Sequence, residues 1–71
     1  MTQMDIRLNG ESHIIDNQHI VTILDLLNQH DLNPDNIIVE HNRNLYKKES
    51  LDGVKIQNGD EIEFLHFMGG G

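Results

Sequence analysis

Asn58-Gly59-Asp60-Glu61-Ile62-Glu63-Phe64-Leu65-His66-Phe67-Met68-Gly69-Gly70-Gly71 decides how this chain is read. Asn58-Gly59-Asp60 predicts a turn, since glycine and short polar residues tolerate the backbone angles that turns require. Glu61 to Met68 predicts a strand, which runs without a break into the glycines. Glycine has no Cβ and adopts almost any backbone angle. Gly69 and Gly70 therefore predict a tail that can thread a channel too narrow for other residues and present the Gly71 carboxylate there. A carboxylate offered in this way is a handle for chemistry done by another protein. Chain ends are often frayed, but fraying does not require three consecutive glycines behind a strand.

Outward from that segment, the periodicities define the remaining elements. Met4, Ile6 and Leu8 alternate with polar residues, the period of a half-buried strand. Asn9-Gly10 follows, a strong hairpin signal, and Glu11 to Ile15 is the return strand, closed by the polar loop Asp16 to His19. Ile20, Ile23, Leu24 and Leu27 mark one face of a helix, which Val21 and Leu26 widen. Thr22 is placed to cap it, with Asp25 as capping-box partner, and Asn33-Pro34 requires the helix to stop near His30. Asn36 to His41 is a β-branched strand, and Asn42 to Asn44 a turn. Leu45 to Lys47 is a brief extended segment. Leu51 stands as a lone apolar anchor in the loop Lys48 to Gly53, and Val54 and Ile56 form a short strand or loop anchor. The expected fold is α+β, a mixed four- to five-stranded sheet with one main helix on one face. The expected domain is 1–68, with 69–71 as the tail.

Composition narrows the function. A chain of 71 residues has room for one domain and little core to spare for a deep catalytic pocket. The sequence contains no cysteine, so thiol nucleophiles, thiolate metal sites and disulfides are excluded. Twelve acidic against five basic residues give a net charge of −7, a poor field for nucleic acid. Neither a signal peptide nor an apolar run long enough to cross a bilayer is legible; the expected location is cytoplasmic.

The order of elements resembles the ubiquitin-like β-grasp sulfur carriers, and among them the thiamine-biosynthesis sulfur-carrier family, ThiS. The resemblance spans the chain. It rests on Asn9-Gly10-Glu11, on Val21-Thr22-Ile23-Leu24-Asp25-Leu26-Leu27, on Ile38-Val39-Glu40-His41-Asn42, and above all on Gly59-Asp60-Glu61-Ile62-Glu63 with the Gly70-Gly71 end. Gly69 departs from the family pattern as a third glycine. The resemblance implies a carrier that is not itself an enzyme and binds no cofactor. A ThiF-like adenylyltransferase, using ATP and magnesium, would activate the Gly71 carboxylate. A cysteine desulfurase system would supply sulfur to form a thiocarboxylate, and a ThiG-like thiazole synthase would accept it. The residues agree: no phosphate-binding loop exists here, so ATP chemistry belongs to a partner.

Strand parity predicts the docking surface. If Ile62 and Phe64 face the helix, then Glu61, Glu63, Leu65 and Phe67 face the other side of the sheet. Leu65 and Phe67 are then exposed apolar residues beside the tail, bordered by the acidic cluster Asp60, Glu61 and Glu63. Arg43, Lys47 and Lys48 receive no role. The five histidines (13, 19, 30, 41 and 66) lack metal-ligand spacing and are read as solvated. The same tail would serve the small subunit of molybdopterin synthase or a ubiquitin-like protein modifier. An interaction domain with an inert tail would need only the sheet.

Overall fold

The computed structural model describes residues 3–66. Asn9 and Gly10 take φ of 52° and 84°, as a tight hairpin turn demands. They join β1 (Gln3–Leu8) to β2 (Glu11–Asp16) in an antiparallel register running from Leu8↔Glu11 to Gln3↔Asp16. Met4, Ile6 and Leu8 are buried, so the alternation in β1 faces the core as its pattern requires.

The helix α1 spans Ile23–Gln29. Thr22 Oγ1 accepts from the Asp25 amide at 3.2 Å, and the Asp25 carboxylate accepts from the Thr22 and Val21 amides at 3.0 and 2.9 Å. This capping box fixes the start of the helix at Ile23 and so corrects part of the apolar face. Ile20 and Val21 precede the helix; Ile20 is still buried, whereas Val21 is 43% exposed. Ile23, Leu26 and Leu27 are fully buried. Past the C-cap His30, Asp31 takes φ of 56° and the Leu32 amide returns to the Leu27 carbonyl at 3.0 Å. Pro34 then opens a 3-10 turn, Pro34–Asn36.

β3 (Ile37–His41) turns through Asn42 and Arg43, both at positive φ, into β4 (Asn44–Tyr46). Leu51, the expected anchor, is fully buried in the 3-10 turn Leu51–Gly53. Val54 and Ile56 form no strand. They flank an isolated bridge between Thr22 and Lys55 and anchor the loop to the helix entrance, the Val54 carbonyl accepting from the Ile23 amide. β5 (Glu61–His66) follows.

The five strands form one sheet in the order β2-β1-β5-β3-β4. β5 is central, parallel to β1 and antiparallel to β3. The helix covers one face, where Ile6, Ile37, Val39 and Ile62 meet Ile23, Leu26 and Leu27. The opposite face carries no helix among the described residues. β5, the last strand among the described residues, is thereby held on both sides up to Ile62 and on the β3 side to His66.

Candidate functional site

β5 precedes Gly69, Gly70 and Gly71 in the sequence, and its side chains divide as parity predicts. Ile62 and Phe64 are buried; Glu61 and Glu63 are exposed, and Leu65 is 36% exposed. Gly69, Gly70, Gly71 and Phe67, the tail and one half of the expected apolar pair, lie outside the described residues, as does Met68.

Strand pairing adds neighbours that the sequence did not assign to this face. Leu65 lies directly opposite Ile38, and Glu63 directly opposite Glu40, across β5 and β3. Leu45 on β4 pairs with Glu40 and is 63% exposed. The bare face thus has an apolar zone, Leu65 and Ile38, toward the C-terminal end of β5, and a carboxylate zone nearer its start. A shallow depression of about 220 Å³ in the latter is lined by Arg7, Glu40, Arg43, Glu61 and Glu63. Arg7 donates to the Gly10 carbonyl at 3.2 Å, so that guanidinium is held at the hairpin turn. Like charges directly opposite one another oppose folding, and the Glu40–Glu63 pair is such a contact. Ile38 was recognisable as strand; its place beside Leu65 depends on a register between distant segments.

Asp60 does not belong to the exposed acidic cluster, which corrects its expected docking role. It is only 7% exposed. Its carboxylate accepts from His41 Nε2 at 2.7 Å, Asn42 Nδ2 at 3.0 Å and the Gln57 amide at 2.8 Å. Burial alone would raise the Asp60 pKa; the hydrogen bonds from Asn42, Gln57 and His41 outweigh it and hold the carboxyl below its usual 3.8. His41, read from sequence as solvated, is the partner in this pair and is itself mostly buried. Asn42 Oδ1 also accepts from the Glu61 amide at 2.9 Å, while the Asn42 amide donates to the Glu61 carbonyl at 2.8 Å. Asp60 and Asn42 are therefore braces that fix where β5 begins.

At the other end, Asn9 Oδ1 accepts from the Phe64 amide at 2.8 Å. His30 sits edge-on between His13 and Phe64, with ring centroids 6.2 Å from each. Among the described residues no three His, Asp or Glu side chains gather as a metal site. Lys48 is tied to Asp35 at 2.8 Å at the surface. No helix among the described residues is long and apolar enough to cross a membrane.

A mixed sheet with β5 at its centre and one helix on one face defines a ubiquitin-like β-grasp domain. Comparison with known proteins gives the same class. The crystal structure of the thiamine biosynthesis protein ThiS from Geobacter metallireducens superimposes with a TM-score of 0.80 at 30% identity, covering 96% of this chain and all of that one. The sulfur carrier protein ThiS of Bacillus subtilis is 42% identical over 50 residues, 70% of this chain and 76% of that protein. A thiazole synthase of Magnetococcus marinus is 38% identical over 69 residues; the match takes in 96% of this chain but only 20% of that protein's length. Residues 6–71 match the ThiS family. The chain belongs to the ThiS family, the sulfur carriers of thiamine biosynthesis.

Proposed function

We propose that this chain carries sulfur as a thiocarboxylate on Gly71 and hands it to a thiazole synthase. A carboxylate is a poor electrophile until a good leaving group is attached. In the proposed cycle a ThiF-like adenylyltransferase supplies that group. The Gly71 carboxylate oxygen attacks the α-phosphorus of ATP, pyrophosphate leaves with magnesium, and an acyl-adenylate forms. A desulfurase system draws sulfur from cysteine as a persulfide, whose outer sulfur attacks the acyl carbon and expels AMP. A thiol, not of this chain, which has no cysteine, then cleaves the resulting acyl disulfide, leaving the thiocarboxylate and a disulfide. ATP and magnesium belong to the partner's site, where charge is neutralised and water excluded; this chain contributes the reacting group and the surface by which it is gripped.

The observation that carries the reading is the position of β5. The strand is paired to β1 and β3, braced at its start by Asp60 and Asn42, and followed within a few residues by Gly69, Gly70 and Gly71. Leu65, Glu61 and Glu63 on the bare face are the proposed docking residues within the described part. Phe67 is proposed to extend the apolar zone toward the tail, which residues 69–71 form beyond the domain of residues 1–68. The absence of cysteine suits a reducing compartment, and the cytoplasm is the proposed location.

The test is intact-mass analysis after incubation with the adenylyltransferase, ATP, magnesium and a sulfur source. Exchange of one oxygen for sulfur, mapped to Gly71, supports the proposal. An unchanged mass beside a partner shown to be active on another carrier contradicts it.

A further inference from the structure

We infer that the edge of β5 at Phe64 and His66 receives an extended segment of the thiazole synthase by main-chain pairing, so that the docked strand leads the tail into that enzyme. The inference rests on the proposed function and adds the mode of docking. Along β5 the even-numbered residues turn their peptide groups toward β1. The Asp60 and Ile62 carbonyls accept from the Arg7 and Asn9 amides, both at 2.9 Å, and the Phe64 amide donates to Asn9 Oδ1. The odd-numbered residues serve the other side, where Glu61 exchanges bonds with Asn42. The ladder with β1 ends at Leu8↔Ile62, because Asn9-Gly10 turns the chain away, whereas pairing with β3 continues to Ile37↔His66.

Parity then turns the Phe64 carbonyl and the His66 amide to the β1 side, beyond the last residue of β1. No strand among the described residues lies there to meet them. Proteins usually protect such an edge with lysine, proline or a bulge, yet from Ile56 to Gly71 the sequence has no Lys, Arg or Pro. Added strands bind through this kind of alternating donor and acceptor. The edge is continuous with the chain that reaches Gly69, so a strand paired to it would fix the tail's direction. A segment similar to this chain within a thiazole synthase favours that enzyme as the occupant. A second copy is disfavoured, since each carries a net charge of −7.

The test follows His66 amide exchange by NMR in the full chain, with and without thiazole synthase, beside the affinities of H66A and H66P. His66→Ala keeps the amide and His66→Pro removes it. Because this amide does not serve the β3 ladder, the proline is compatible with the sheet. An amide-to-ester replacement at His66, made by semisynthesis, removes the same donor without a ring. We expect exchange at His66 to slow in the complex and H66A to bind like the parent. H66P and the ester should bind about tenfold more weakly, the loss of one main-chain hydrogen bond. Unchanged exchange in a complex that forms, or H66P and the ester binding like H66A, overturns the inference and leaves the proposed function standing. Protection that grows with concentration in the chain alone assigns the edge to a second copy and also overturns it. Failure of the parent chain to bind the synthase at all counts against both.

Discussion

Asp60 and His41 meet at 2.7 Å between the residue that precedes β5 and the last residue of β3. The pair sits at the far end of β5 from the glycine tail, where it sets the strand's starting point and therefore its register. A slip by one residue would turn Leu65 into the core and Phe64 out of it. Replacing Asp60 with alanine leaves His41, Asn42 and the Gln57 amide without their acceptor. We expect a loss of about 1–3 kcal/mol in urea unfolding. Glu61→Ala, on the exposed face, should stay within about 0.5 kcal/mol of the parent. Equal effects of the two would contradict the assignment of Asp60 as a brace.

The same carboxylate predicts an acid dependence. Its folded pKa lies below 3.8, the ordinary value that applies when the chain is unfolded. The unfolded state then binds the proton more readily, so the contribution to stability is complete above that value. It is lost as pH falls through the lower folded pKa. Asp16 and Asp25 are also lowered, Asp16 chiefly by the Gln18 amide and Asp25 chiefly by the Thr22 amide. Both are solvated, so their effects are screened more strongly. Urea titrations from neutral pH into the acid range should steepen below 3.8, and Asp60→Asn should flatten that slope more than Asp16→Asn. A slope untouched by Asp60→Asn would refute this.

Leu51→Ala tests the loop anchor. The side chain is fully buried in a turn that packs on α1, and truncating such a leucine costs about 2–5 kcal/mol. A fall in the thermal midpoint should accompany it. A loss below about 0.5 kcal/mol would mean that the loop is not part of the cooperative core.

Much of this fold was legible from local chemistry. Asn9-Gly10 fixed a hairpin and Thr22 with Asp25 a helix start; the alternation in β5 assigned Ile62 and Phe64 to the core. Long-range pairing was not legible. Asp60 read as one more surface carboxylate because its acceptor role depends on Asn42 and His41, which only the β3–β5 register brings near. Val21 was given to the helix because apolar spacing does not register that a capping box already begins one residue later. Ile38 and Glu40 reach the candidate face by the same register, and Asn9 braces Phe64 across 55 positions of sequence.

Leu65→Asp probes the bare face without disturbing the core. Leu65 is partly exposed and packs beside Ile38, so stability should change by no more than about 1 kcal/mol. Affinity for the adenylyltransferase or thiazole synthase should fall at least about tenfold, if the apolar zone is buried on docking. Isothermal titration of each partner gives the answer. Parent-like binding to both would exclude this zone as an interface.

The most direct measurement of the central claim compares the full chain with one lacking Gly70 and Gly71, each incubated with adenylyltransferase, ATP, magnesium and a sulfur source. Intact mass and peptide mapping should show a sulfur-for-oxygen exchange at Gly71 in the full chain and none in the shortened one, with both folded by circular dichroism. Sulfur transfer from the shortened chain, or sulfur found anywhere but the Gly71 carboxyl, would contradict the account.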